Sequence, residues 1–357
     1  MHTPDRNHHS GQCNSDRQNA FTSCDSLTSV AIPGSVAVIG RSAFSSCNSL
    51  ASLTIGDGVK SIAGNAFSNC NSLVSLIIPN SVTNIGDYAF YYCDSITSAI
   101  IGANTESIGN YAFYACDSLT SIEIPAALTA VGSYAFGACH ELQELTIENG
   151  VTGIGYGMFA GCDNLKSVVI PDSITYIDDQ AFSGCTALTS IVMGGNIETI
   201  GESAFECCEN LSDITLPESV TSIAKRAFFK CSKLNSIRIL NPECKIYNSE
   251  DTICDSVIEA TGQCHYNGII YGYEGSTAQI YAEKYSYAFA ALDSMPVQGD
   301  VNADGILNVA DVVALQKWLL GVPDTHLANW KDADLCEDDR LDVFDLCLMK
   351  RELLKIN

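Results

Sequence analysis

Twelve residues near the carboxyl end of the chain, from 300 to 311, place side-chain oxygens at positions 1, 3, 5, 9 and 12 and glycine at position 6. Calcium takes about six to eight oxygen ligands, and a loop of this length supplies them at this spacing, with a main-chain carbonyl at position 7. The pattern predicts a calcium site followed by an amphipathic helix. Its ligands would be Asp300, Asn302, Asp304, the carbonyl of Ile306, Asn308 and Asp311.

A second loop, from 334 to 345, repeats this pattern with two departures. Cys336 replaces the oxygen ligand at position 3, and Asp339 replaces glycine at position 6. A thiol is a poor ligand for a hard cation, so we expect a second calcium site weaker than the first, with water or a carbonyl filling the gap. The alternative is a structural loop that binds no ion. The ligand positions are Asp334, Asp338, Arg340, Asp342 and Asp345.

Most of the chain before these loops follows a repeat of 23 residues, Ala-Phe-x-x-Cys-x-x-Leu, which no insertion interrupts. Cysteine follows each marking phenylalanine three residues later. A period this strict predicts one long array of stacked units rather than several domains. The marking residues are Phe21, Phe44, Phe67, Phe90, Phe113, Phe136, Phe159, Phe182, Phe205 and Phe228.

Apolar residues recur at fixed distances from each phenylalanine, which we number as position 0. Those at +9 and +11, such as Val30 and Ile32, alternate as in a half-buried strand, and proline or glycine follows at +12 in eight units. Those at +15 and +18 predict either a second short extended segment or a 3₁₀ turn. The Ala-Phe-x-x-Cys segment is interpreted as one turn of helix.

Ten of the seventeen cysteines occupy the same position in successive units. Equivalent positions in stacked strands lie about 4.8 Å apart with side chains pointing the same way, which fits disulfide geometry poorly. The repeat therefore predicts a ladder of buried thiols.

The segment from Leu27 to Ile32, Leu-x-x-Val-x-Ile, resembles the core of leucine-rich repeats, and the unit from Cys116 to Pro125 resembles the BspA-like branch of that family. The resemblance covers residues 19–240, about ten units. It implies an α/β repeat solenoid, curved and right-handed, with a parallel sheet on its concave side. It also implies a binding role rather than catalysis.

The chain outside the array divides into shorter parts. Residues 1–18 are polar and are interpreted as disordered or truncated; we expect the authentic beginning to be missing, because the first unit starts without a cap. Residues 241–294 are predicted to cap the last unit, with a strand from Gly268 to Tyr273 and a helix that Ser276 begins. Residues 295–299 form a linker, and residues 300–357 form the calcium-binding domain.

Residues 299–357, with their two loop–helix pairs, resemble a type I dockerin of ruminococcal cellulosomes, a small all-α domain with EF-hand-like loops. The resemblance implies calcium-dependent docking onto a cohesin of a scaffoldin outside the cell. Because the residues at the two sets of recognition positions differ, we expect one binding orientation. Packing between the helices is the alternative role for Phe344. The recognition positions are Val309, Ala310, Gln316 and Lys317 in the first half, and Val343, Phe344, Lys350 and Arg351 in the second.

Charge and composition exclude several classes of function. The formal net charge of −24 argues against nucleic acids and anionic membranes, because both require clustered lysine and arginine. No apolar run approaches the roughly 18 residues that span a bilayer. The six histidines show no metal-ligand spacing, and the abundant serines recur at +8 as a structural feature. We predict no catalytic residues and no enzyme activity.

Tyrosines recur in three consecutive units at positions −2, +1 and +2, so they would form one aromatic patch. Rigid amphipathic rings suit both protein contacts and stacking on sugars, while packing between units is the alternative. The exposed strand positions +8 and +10 are expected to carry mostly serine and threonine. The tyrosines of the possible ligand patch are Tyr88, Tyr91, Tyr92, Tyr111, Tyr114 and Tyr134.

These features together predict a non-catalytic, secreted component of a cellulosome. The dockerin would attach it to a cohesin through calcium, and the array would bind a protein, a cell surface or a plant polysaccharide during polysaccharide degradation. Two alternatives remain open: a rigid spacer or adhesin, or the remainder of a polysaccharide-degrading enzyme whose catalytic domain lies upstream.

Overall fold

The computed structural model describes residues 18–258, 260–292, 298–301, 307, 309–322, 327, 331–336, 338 and 340–356. The chain divides into two compact units between Phe289 and Ala290. The predicted amino-terminal segment, up to residue 17, and residues 295–297 of the predicted linker lie outside the described residues. The finer domain boundaries remain predictions.

Each repeat contributes one strand of three or four residues, and the paired strands run parallel in a register of 23 residues, as between Ser29 and Ser52. Side chains at +9 and +11 point inward, because alternate residues of a strand face opposite sides. The predicted strand is therefore confirmed. These long strands are Ser29–Ile32, Ser52–Ile55, Ser75–Ile77, Ser98–Ile100, Ser121–Ile124, Glu144–Ile147, Ser167–Val169, Ser190–Val192, Asp213–Leu216 and Ser236–Ile239.

A second strand of two residues lies at +17 and +18 of each unit. The prediction of a second short extended segment is therefore confirmed, and that of a 3₁₀ turn is wrong. The short strands form two parallel five-stranded sheets. The first contains Val38–Ile39, Ser61–Ile62, Asn84–Ile85, Ser107–Ile108 and Ala130–Val131, and the second contains Gly153–Ile154, Tyr176–Ile177, Thr199–Ile200, Ser222–Ile223 and Lys245–Ile246.

The marking phenylalanines form one continuous stack through the core. From Phe21 to Phe228, successive ring centroids lie 5.0 to 5.8 Å apart with interplanar angles of 3° to 15°. Beside the stack, each repeat cysteine from Cys47 to Cys231 donates its thiol to the carbonyl of the phenylalanine 26 residues earlier, at 3.0 to 3.4 Å. The predicted ladder of buried thiols is confirmed from Cys47 onward.

The expected turn of helix around each phenylalanine is wrong. The main-chain N–H of Phe44 donates to Ala66 in the next unit at 2.8 Å, so it is committed to contacts between units rather than within a helix. The chain instead makes consecutive tight turns, with a left-handed residue at −2 and another at +2, such as Ser42 at φ 52° and Ser46 at φ 58°.

Residues after the tenth unit complete an irregular further turn, which closes the end of the core. The strand Ile269–Gly272 pairs in parallel with Ser236–Ile239, and Ala288–Ala291 follows it in the same sheet. The Oγ of Ser276 accepts a hydrogen bond from the N–H of Gln279 at 3.3 Å and caps the helix Thr277–Tyr285, as predicted. The strands not yet mentioned are Phe228–Phe229, Ile253–Cys254, Ser256–Ile258 and Gln263–His265.

The described part of the C-terminal unit contains the helices Val309–Leu319 and Val343–Ile356 and a 3₁₀ turn, Lys331–Ala333. Its small core includes Val301, Val312, Leu315 and Met349. This arrangement agrees with the predicted small helical domain, and the parallel-strand array with the predicted repeat solenoid.

The phenylalanine stack predicts that the same substitution, phenylalanine to alanine, changes the free energy of unfolding very differently at a stacked and at an exposed position. Phe136 is fully buried and Phe344 is 73% exposed. We expect Phe136→Ala to lower the free energy of unfolding of the array by about 3–5 kcal/mol, because it leaves a cavity. Phe344→Ala is the control and should change it by less than about 0.5 kcal/mol. Chemical denaturation followed by far-UV circular dichroism measures both, and equal effects would contradict the stacked core.

Candidate functional site

The first predicted calcium loop is described at its two ends. Asp300 is 4% exposed and Asp311 is fully buried, and Oδ1 of Asp311 accepts a hydrogen bond from the N–H of Val301 at 3.2 Å. Burying carboxylates is unfavourable unless donors or a cation compensate for lost water. The two predicted end ligands therefore lie where a cation would stabilise them. The predicted ligands Asn302, Asp304, Ile306 and Asn308 lie outside the described residues.

The second loop is closed by hydrogen bonds onto its first and last carboxylates. Asp334 Oδ1 accepts from the N–H of Asp338 at 3.2 Å, and the fully buried Asp345 accepts from the N–H groups of Cys336 at 3.2 Å and Asp342 at 2.8 Å. Burial acts to raise the pKa of Asp345, but the main-chain donors and the thiol of Cys336 together outweigh it and lower that pKa. The carboxylate at position 12 is thus ionised at neutral pH.

The donor set of the second loop fits calcium incompletely. Ligand atoms of Asp334, Cys336 and Asp338 all lie within 4.8 Å of one another, so positions 1, 3 and 5 converge as the spacing predicts. The middle donor is a thiol, which binds hard cations weakly. Asp339, at the position usually held by glycine, lies outside the described residues, and Arg340 is exposed.

The predicted recognition residues lie on the surface at the beginnings and later turns of the two helices. Val309 is 64% exposed, Val343 65% and Phe344 73%. The alternative that Phe344 packs between the helices is therefore wrong. Ala310, Gln316, Lys317, Lys350 and Arg351 are also exposed. Sequence analysis did not single out Leu320, which follows the first helix and is also 73% exposed.

The six tyrosines of the predicted patch, here called the tyrosine cluster, lie together in two columns. Tyr88, Tyr111 and Tyr134 stack with centroids 5.2 and 5.3 Å apart, and Tyr91 stacks on Tyr114 at 5.7 Å. Edge contacts join the columns, as between Tyr88 and Tyr91 at 5.2 Å. All the rings are half-buried except that of Tyr92, which is exposed. The cluster contributes both to packing between units and to the surface.

Glycine ends the first column. A Cβ at Gly157 would lie 2.5 Å from Cε1 of Tyr134, so the ring of Tyr134 extends across this glycine. Its hydroxyl donates to Oε1 of Gln180, two units further along the array. Gln180 Nε2 in turn donates to the hydroxyl of Tyr156 at 3.0 Å. Burial, followed by the hydrogen bond to Tyr156, raises the pKa of Tyr134 to about 12. Its hydroxyl therefore stays neutral at physiological pH.

The tyrosines at −2 adopt a backbone conformation that bulky side chains rarely take. Tyr88, Tyr111 and Tyr134 have φ values of 58°, 55° and 54°. Asparagine and glycine tolerate this region better, and the array has Asn65 and Gly157 at the same position in the flanking units. Local conformational preference therefore does not explain tyrosine at these places.

The outer face of the long strands is less polar than expected. The prediction of mostly serine is right at +8, but at +10 four units carry aliphatic residues. They are Ile77, Ile100, Val169 and Val192, each 58–64% exposed. Counting the +10 position separately in the sequence would have found them.

Comparison with known protein families agrees with both parts of the chain. The BspA type Leucine rich repeat region, in six copies, matches residues 15–142 and 129–250, which is more than half of the chain. The chain belongs to the BspA-type leucine-rich repeat family. The Dockerin type I domain matches residues 298–354, so this repeat protein carries a C-terminal type I dockerin, and calcium binding follows from that domain.

Solved structures similar to this BspA-type protein are bacterial repeat proteins. A leucine-rich repeat protein from Eubacterium ventriosum is 22% identical, with 58% of this chain and 77% of that chain covered and a TM-score of 0.41. A leucine rich cell surface protein from Faecalibacterium prausnitzii is 28% identical, with 63% and 80% covered and a TM-score of 0.37. The pneumococcal vaccine antigen PcpA is 19% identical, with 74% and 68% covered and a TM-score of 0.49. Because these TM-scores are below 0.5, we take no functional argument from them. The curated proteins contain no match.

Both matched domain types are non-catalytic, and the dockerin implies a cohesin partner. Among the helices of the described residues, none combines the length and apolar character needed to cross a bilayer.

The thiol of Cys336 at position 3 of the second dockerin loop is expected to weaken calcium binding there, and substitution tests this. We expect Cys336→Asp to tighten the weaker calcium-binding event by about tenfold or more, because charged oxygen ligands set the affinity of such loops. Cys347→Asp is the matched control, since Cys347 is also exposed but lies on the helix outside the loop. Isothermal titration of the whole chain with calcium measures both. An unchanged weaker site in Cys336→Asp would contradict the assignment of position 3.

Proposed function

We propose that this chain is an extracellular, non-catalytic component of a cellulosome-type assembly. Its dockerin binds a cohesin module of a scaffoldin in a calcium-dependent manner, and its repeat array binds a protein, cell-surface or polysaccharide ligand during polysaccharide degradation. The observation that carries the proposal is the type I dockerin match over residues 298–354. The BspA-type array supports the second role, since leucine-rich repeats suggest binding.

The exposed residues at the beginnings of both dockerin helices support a docking surface there. Phe344 and Val343 form an apolar pair with Lys350 and Arg351 further along the same helix, and all four side chains are exposed. Exposed aromatic residues next to cationic ones are typical of the residues that dominate binding energy at interfaces.

The first helix offers a different set of side chains for the same role. Val309 and Ala310 replace the valine–phenylalanine pair, and Gln316 replaces one cation of the basic pair. The second helix therefore has the larger apolar anchor and one more positive charge. We propose that it makes the main contact with cohesin, in one orientation.

Calcium acts on this surface through the loops. We propose two calcium sites, the second weaker because of Cys336, at the loops that precede the two helices. The recognition pair Val343 and Phe344 lies between Asp342 and Asp345 of the second loop, and the N–H of Phe344 donates to Asp342 at 2.6 Å. Loss of calcium would therefore disturb the main-chain positions that hold the pair.

We also propose that the tyrosine cluster takes part in ligand binding by the array. Tyrosine at −2 is conformationally unfavourable, by roughly 1–3 kcal/mol for each strained residue, and asparagine at the same position of the unit before satisfies the fold. Stacking between the rings offsets part of this strain. The half-buried rings also leave edges at the surface, where a ligand can contact them.

Capture by type I cohesin modules tests the docking role. We expect at least one module of a panel to capture the full chain in calcium and to release it in EDTA. Phe344→Ala should weaken capture by about tenfold or more, because it removes the central apolar anchor. Ile280→Ala is the control, since Ile280 is 61% exposed on the helix of the array's cap. Capture that persists in EDTA, or that Phe344→Ala leaves unchanged, would contradict the proposed surface.

A further inference from the structure

A groove of about 1150 Å³ runs along the short strands of the array. Its floor contains the +17 side chains of successive units, Ser61, Asn84, Ser107 and Ala130. The lining extends from Arg41 to Tyr176, which is about six repeat steps, or roughly 29 Å at ~4.8 Å per step. The groove is therefore elongated along the direction in which the units stack, which suits an extended chain better than a compact molecule.

Two members of the tyrosine cluster, Tyr88 and Tyr91, line the groove, and the stacked column that contains Tyr88 ends there. Tyr88 stacks on Tyr111 on one side, but the equivalent residue of the preceding unit is Asn65, which has no ring to continue the column. Tyr88 and Asn65 both line the groove. The face of Tyr88 directed toward the preceding unit is therefore an aromatic surface without a stacking partner in the column.

A second aromatic ring lies at the end of the groove opposite Arg41. Tyr176 occupies the +17 position in its own unit and is 42% exposed. Its ring lies back over Gly153, the +17 residue of the unit before, where a Cβ would come within 2.1 Å of Cζ of Tyr176. Only glycine at position 153 leaves room for this ring to lean toward the groove. The position of the Tyr176 ring therefore depends on Gly153.

The part of the groove near Tyr88 carries hydroxyl, amide and carboxylate groups. Asn84 Nδ2 donates to Ser107 Oγ at 2.6 Å, and Asp87 Oδ1 accepts from the main chain and the side chain of Asn110 at 2.7 and 3.1 Å. These side chains are held in place by the neighbouring unit and retain further hydrogen-bonding capacity, since a hydroxyl oxygen and a carboxylate each accept more than one bond.

Charge and apolar content narrow the class of ligand. Among the described residues that line the groove, Arg41 and Asp87 are the charged ones, so the groove is close to neutral in a chain with a net charge of −24. A polyanion would require clustered cations. The isoleucines along the floor, such as Ile85, are buried and point into the core, so they offer no pocket for the apolar side chains of a peptide.

We propose that this groove binds a neutral polysaccharide chain, with sugar rings stacked on Tyr88 and Tyr176 and sugar hydroxyls hydrogen-bonded to Asn84, Asp87 and Ser107. A sugar ring has an apolar C–H face and a polar rim of hydroxyls, which matches two aromatic rings and a floor lined by amide and hydroxyl groups. The inference rests on the proposed ligand-binding role of the array and names the class of ligand and its site.

Affinity electrophoresis of the full chain through gels that contain arabinoxylan, galactomannan, xyloglucan or mixed-linkage β-glucan tests the proposal. Polygalacturonate serves as the charged comparison. We expect at least one neutral polymer to retard the chain and polygalacturonate not to do so. Tyr88→Asn and Tyr176→Ala should each weaken the binding by about tenfold, the effect of losing one ring contact. Tyr88→Asn keeps the fold, because asparagine already occupies this position in the preceding unit.

Tyr247→Ala is the matched control, since Tyr247 is 51% exposed and does not line the groove. Retardation by none of the four neutral polymers, or only by polygalacturonate, would overturn the ligand class. Equal retardation of the wild type and both groove variants, or equal weakening by Tyr247→Ala, would overturn the site. Capture by cohesin, measured on the same samples, separates these results from failure of the docking role, because the groove variants should be captured as well as the wild type.

Discussion

The phenylalanine rings of the core repeat at 5.0–5.8 Å, and the parallel main-chain hydrogen bonds between units hold the same step. Within the array, residues of one unit therefore lie directly beside their equivalents 23 positions away, as Val30 lies beside Leu53. Rings, thiols and strand residues can then form columns along the whole array. This one-step register determines which side chains meet, both inside the core and on the surface.

Surface features arise where a column is interrupted. Asn65 leaves the outer face of Tyr88 without a stacking partner, Gly153 lets Tyr176 lean over the unit before, and Gly157 lets Tyr134 reach Gln180. In each case a smaller residue in one unit determines the position or the exposed face of a tyrosine ring in another unit. Conformational strain at the left-handed tyrosines is tolerated because the stacked rings and the main-chain bonds of adjacent units fix the turns.

The sequence predicted those parts of the structure that depend on local pattern. Alternation predicted the long strands, the common position of the cysteines predicted the thiol ladder, and ligand spacing predicted that Asp334, Cys336 and Asp338 converge in the second loop. It failed at the turns around residues such as Phe44, because their main-chain groups bond to the next unit and no local helix can form. For Phe344 it predicted a recognition role but left packing between the helices open, because the exposure of this side chain depends on how the two helices pack. The groove depends on contacts between units, such as that of Gly153 with Tyr176, which composition within one unit does not reveal.

We propose that one chain joins a scaffold to a ligand through two separate surfaces. Sedimentation with an insoluble neutral polysaccharide, in the presence of purified cohesin, tests it most directly. In calcium, cohesin should sediment with the polysaccharide only when the chain is present. EDTA should return cohesin to the supernatant and leave the chain on the polysaccharide. Cohesin that stays soluble in calcium although the chain sediments, or a chain that EDTA removes from the polysaccharide, would contradict the account.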